Sequence, residues 1–124
     1  MNVKRTKLPF TGIAVALAMA FSLMPMQVAY ADYLQWATTT LKTGSMETGY
    51  SFAKTALRDE GATNIKSSPT EVTGTIGKTY VVITCVATTP HVTAVVMVIG
   101  GDSDETAKVR DKVKKKIAGI IKFD

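Results

Sequence analysis

Cys85 and His91 are the only cysteine and the only histidine in this 124-residue chain, and they are its natural candidates for a nucleophile and a base. To act together they must come within hydrogen-bond reach. Cys85 sits in the β-branched run Thr79–Ala87 and His91 in the polar break that follows it. In a hairpin of that register the cysteine lies about three residues back from the loop, roughly 10 Å at strand rise. The spacing argues against a catalytic pair. His91 also lacks a second histidine or a nearby carboxylate to complete a metal site. Gly100-Gly101, between an apolar run and a charged one, has the look of a phosphate-binding turn. Asp102, Asp104 and Glu105 occupy that turn, however, and complement the helix dipole themselves. The remaining carboxylates fall at helix ends and on outer faces, which leaves no acid/base pair. An enzyme is not expected, nor a cofactor or metal.

The other chemistry on offer is cationic. Lys108, Lys112 and Lys116 stand at successive i,i+4 positions, with Lys115 beside them. Like charges at that spacing cost a few tenths of a kcal/mol each in isolation. Asp104 before Lys108 and Asp111 before Lys115 offset part of this, as does the dipole at a helix C-terminus. Such a face is either simply solvated or a contact for an anionic headgroup, a polysaccharide or an acidic partner.

These residues are positioned by two hairpins. Thr79–Ala87 and Val92–Gly100 flank the break Thr88-Thr89-Pro90-His91. That loop opposes Ala87 to Val92, Cys85 to Ala94, Ile83 to Val96 and Val81 to Val98, giving one wholly apolar face that includes the thiol. A cysteine so placed behaves as a small hydrophobe. Upstream, Glu71 to Ile76 alternates, and Gly77-Lys78 suits a two-residue II′ turn. This pairs Gly74 with Val81 and Val72 with Ile83, on the same apolar face. A three-stranded meander results.

Ser45 is the expected N-cap of a helix whose inward face is Gly49, Phe52, Ala53, Ala56 and Leu57, closed by Gly61. Asp102 and Glu105 have capping-box spacing at the start of a second helix, with Thr106, Val109, Val113, Ile117, Ile120 and Ile121 as its stripe. Both helices need an apolar partner. The predicted fold is therefore α+β, a two-layer sandwich in which two helices pack on one face of an antiparallel meander of three to four strands. Asn64 to Lys66 is a candidate short strand. Residues 32–41 read as an edge strand or an ordered arm.

The second face of the sheet is the anomaly. The same register pairs Tyr80 with Ile99, Val82 with Met97, Thr84 with Val95 and Val86 with Thr93, where a solvated face should turn polar. It is covered either by the N-terminal segment, through Tyr33, Leu34 and Trp36, or by a partner.

Residues 1–31 have the pattern of a cleaved signal peptide. Lys4, Arg5 and Lys7 precede an apolar run from Gly12 to Met24, Pro25 breaks it, and Ala29-Tyr30-Ala31 supplies the small-x-small site. The run is shorter than the ~20 residues a spanning helix needs. Cleavage leaves a single small domain, residues 32–124, in the periplasm or outside the cell. It also removes three cations from a formal net charge of +5, so the mature domain is close to neutral and no nucleic-acid partner is expected. A lone cysteine allows no internal disulfide there.

The leader, the helix Phe52-Ala53-Lys54-Thr55-Ala56-Leu57-Arg58 up to Gly61, the Gly74–Gly77 turn region, the Ile83-Thr84-Cys85 strand and Gly100-Gly101 before a charged helix together resemble small exported bacterial proteins of unknown function. The resemblance implies a compact periplasmic α+β domain and transfers no active site. Such proteins often carry a further cysteine in the first helix. This chain has none there, so a stapling disulfide does not carry over.

The function expected is protein contact without catalysis, by self-association or with an envelope protein. Its candidate residues are Val82, Val95 and Met97 on the outer sheet face and Lys108, Lys112, Lys115 and Lys116 on the helix. The alternative is a binder of an anionic or small ligand at the cell envelope.

Overall fold

The computed structural model of the protein describes residues 32–121. The expected signal peptide, residues 1–31, lies outside the described residues. In chain order the elements are β1 (Tyr33–Thr40), α1 (Met46–Asp59), β2 (Thr63–Ser67), β3 (Val72–Ile76), β4 (Thr79–Ala87), β5 (Val92–Gly100) and α2 (Ser103–Gly119). The fold is mixed α+β: five strands form one antiparallel sheet in the order β1-β5-β4-β3-β2.

The two hairpins predicted from turn chemistry have the expected register. Val72 faces Ile83 and Gly74 faces Val81 across β3–β4. Cys85 faces Ala94, and Val81 faces Val98, across β4–β5. Gly77 in the tight turn has φ +60°, a backbone conformation that favours glycine.

The sheet has five strands rather than three to four. Residues 33–40 form a full edge strand, paired with β5 from Tyr33↔Gly100 to Thr40↔Thr93. β2 closes the opposite edge against β3, with a register shift between Thr63 and Lys66 and with Asn64 at φ 53°. That irregularity hid its alternation, since a bulge moves side chains off the period of two.

Both helices begin as their caps dictate. The Ser45 hydroxyl accepts from the Thr48 N–H at 3.2 Å, and the Asp102 carboxylate accepts from the Glu105 N–H at 2.8 Å. α1 buries Gly49, Phe52, Ala53, Ala56 and Leu57, the five positions of its predicted inward face. α2 buries Thr106, Val109, Val113 and Ile117. Its stripe stops there, because the helix ends at Gly119 and Ile120 is already extended. Ile120 packs only partly against the core, and Ile121 is exposed.

The core is built from these helix faces and from one face of the sheet: Val72, Val81, Ile83, Cys85, Ala94, Val96 and Val98. Both helices therefore lie on the same side. Polar contacts fix the edges of this layer. Gln35 of β1 accepts from an Arg110 guanidinium N–H at 3.0 Å and donates to the Ser103 hydroxyl at 3.3 Å, tying the edge strand to α2. Just before β3 begins, the Tyr50 hydroxyl accepts from the Cys85 N–H at 3.2 Å and donates to the Thr70 carbonyl at 2.8 Å. A side chain of α1 thus satisfies a strand amide that has run out of strand.

Candidate functional site

The outer face of the sheet carries every second residue of β1, β5 and β4. The registers order them in four cross-strand rows: Leu34–Ile99–Tyr80, Trp36–Met97–Val82, Thr38–Val95–Thr84 and Thr40–Thr93–Val86. The two helices lie on the other side, and among the described residues nothing is layered over these rows. Trp36 is 61% exposed and Leu34 60%, with Tyr80, Val86 and Ile99 also exposed. Val82, Val95 and Met97 are half-buried, shielded only by their neighbours within the sheet. The three outer-face residues singled out from sequence are thus brought together: Val82 is paired with Met97, and Val95 sits in the next row.

β1 changes the character of this surface. It lies beside β5 instead of crossing the face, so Leu34 and Trp36 enlarge the apolar area they might have covered. They were missed as surface residues, although the period-two run Leu34, Trp36, Thr38, Thr40 already marks one face of a strand. The hairpin register alone places Tyr80, Val86 and Ile99 on this face, and they belong with its candidates.

The lysines divide. Lys112, Lys115 and Lys116 line one open cleft of about 490 Å³, together with Glu60 after α1 and Gly119 and Ile120 at the end of α2. Lys108 is exposed further up α2 and does not line it. Three ammonium groups against one carboxylate make the cleft cationic. The partial negative charge of the α2 C-terminus offsets some of that.

The cysteine and histidine stay apart in environment. Cys85 is 6% exposed on the inner face, with its sulfur against Gly49 of α1. Loss of hydration on burial pushes its thiol up from 9.0 to about 11, which disfavours the thiolate that a nucleophile requires. His91 is exposed in the β4–β5 loop, where its backbone carbonyl accepts from the Thr88 hydroxyl. Among the described residues no three His, Cys, Asp or Glu side chains converge to hold a metal ion, and no helix is long and apolar enough to cross a membrane.

Comparison with known proteins finds no family model that matches the chain and no significant match among curated proteins.

Proposed function

We propose that the protein is an exported, non-enzymatic domain that works by protein contact through the outer face of its sheet. One observation carries the reading: four apolar and threonine rows, with the sole tryptophan among them, face outward on a five-stranded sheet, and no layer of the described residues lies over them. An apolar area of that extent on a small domain marks an interaction surface. The leader pattern of residues 1–31 supports a periplasmic or secreted location.

A photo-reactive amino acid placed at position 97, and separately at position 112, tests the contact in cells that make the protein. Discrete crosslinked adducts from position 97 and not from position 112 are expected. Adducts confined to position 112 would move the function to the helix side, and none from either would remove the contact reading. The intact mass of the recovered protein tests export. It should correspond to a chain beginning at Asp32, and a chain that retains Met1 to Ala31 would refute cleavage.

The lysine cleft favours a second reading, in which the protein binds an anionic or small ligand at the envelope. Its prediction is salt-sensitive binding to vesicles containing anionic lipid, weakened by Lys112→Glu. Vesicle binding that is absent, or indifferent to salt, removes this reading.

A further inference from the structure

We infer that the occupant of the outer sheet face is a second copy of this chain, packed sheet to sheet about a twofold axis. The inference rests on the contact reading above and names its partner.

Extent is the first argument. β1 has eight residues and β4 and β5 nine each. At ~3.4 Å per residue and ~4.8 Å between strands, these three cover roughly 400 Å² in plan, and the shorter β3 and β2 add about 150 Å². Side chains standing on the sheet raise its accessible area above that. A stable interface takes about 600–1,000 Å² from each partner. Covering the face therefore calls for an object as broad and flat as another sheet, and the chain's own sheet has that size.

Charge is the second. The four rows hold no ionisable side chain other than the Tyr80 phenol. Lys66, on β2 at the far edge, is the nearest cation among the outward positions of the described strands. The lysines of α2 lie in the opposite layer. Two copies stacked by their sheets would turn both lysine clefts outward, away from each other. Asp32 and Lys78 border the first row, beside Tyr80 and Ile99, and bring opposite charges. The four rows themselves, without formal charge, meet no like-charge penalty against their own copy and offer nothing to a partner recognised by charge.

Relief is the third. Along the strands the face falls from tall to low: Leu34, Ile99, Tyr80, Trp36 and Met97 take five of the six places in the first two rows, Val82 the sixth, while threonine and valine fill the last two. A twofold axis between the sheets, running across the strands, sets each copy antiparallel to the other. The first row of one then meets the fourth of the other, and the second meets the third. Trp36 and Met97 settle over Thr38, Val95 and Thr84 of the other copy, tall onto low at both ends. This is the isologous fit a closed dimer needs, with the sheets ~10 Å apart.

Sedimentation across a concentration series, on protein purified from cells expressing the full chain, tests this together with acrylamide quenching of Trp36, the only tryptophan. A reversible monomer–dimer equilibrium is expected, with Trp36 emission shifting to the blue and quenching falling as the dimer fills. Met97→Lys should abolish the dimer at concentrations where the parent is fully associated. Should that variant fail to fold, Trp36→Lys at an exposed side chain takes its place in sedimentation. Thr38→Trp sets tall against tall and should weaken association about tenfold or more. The double variant Trp36→Thr/Thr38→Trp reverses the relief in both copies and should restore it.

A strict monomer with a freely quenched Trp36 would overturn the second copy while the contact reading stands. A strict monomer whose Trp36 is protected would mean that the chain covers its own face, and both would fall. Both would fall as well if the dimer survives Met97→Lys and Thr38→Trp yet is lost in Lys112→Glu.

Discussion

The inner and outer faces of β4 and β5 are composed almost alike. Val81, Ile83, Val96 and Val98 point one way and Val82, Val95, Met97 and Ile99 the other. The first four are fully buried beneath α1 and α2, whereas the second four keep contact with solvent. Residue type does not make this difference. The described residues hold two helices, both drawn to the same side by the apolar stripes they must bury. Hydrophobic alternation can show that a strand has a core face, but a strand apolar on both faces asks for a third layer, which the described residues do not supply.

The comparison breaks most decisively on paired truncations. Ile83→Ala on the inner face should cost about 2–5 kcal/mol in chemical denaturation, through lost burial and a cavity in the core. Val82→Ala, its neighbour on the outer face, should cost ~1 kcal/mol or less in dilute protein. Equal losses would show that the outer face is buried in the monomer.

Gly100→Ala probes how closely the inner layer approaches the strands. A Cβ there would lie 2.8 Å from the Thr106 Oγ1 and 3.0 Å from the Thr79 Cγ2, both in buried residues. Overpacking of about 1–3 kcal/mol is expected in the same assay. Gly101→Ala, which meets nothing within 4 Å, serves as its control.

Tyr50→Phe removes the hydroxyl that receives the Cys85 N–H and reaches the Thr70 carbonyl. The expected cost is about 1–2 kcal/mol, with faster amide exchange at Cys85. Unchanged exchange there would mean that water replaces the phenol freely.

The gentlest probe is the thiol. Folding raises its pKa from 9.0 to about 11, so between those values the unfolded chain loses a proton that the folded chain keeps. Stability from this group is therefore constant below about pH 9 and falls as the pH climbs toward 11. Cys85→Ala should remove that component when denaturation is compared across pH, and alkylation of the native thiol at pH 8 should be slow. Rapid alkylation would place the inner face within reach of solvent.

Much of this layout was legible. Gly77-Lys78 and Thr88–His91 specified two hairpin registers because turn length leaves strands little choice of pairing. Ser45, Gly61 and Asp102 marked helix ends through the backbone groups they satisfy or the conformations they permit. β2 was harder to see, since its irregularity breaks the period by which strands are recognised. Of the lysines, Lys112, Lys115 and Lys116 share a cleft and Lys108 does not, because Glu60 and Ile120 form the other walls and come from the ends of both helices.

The sequence by itself determined which residues share a face, since side-chain direction follows local backbone period and turn geometry acts over a few residues. Which of the two apolar sets became the core was decided by the side on which both helices pack. Only the tertiary structure decided where β1 goes. Its backbone groups would pair equally well with any open strand edge, and its side chains were apolar enough to cover the sheet or to extend it. The pairing with β5 came from contacts between residues far apart in the chain, including Gln35 with Arg110 and Ser103. It left Trp36 facing outward on the surface proposed to meet a second copy.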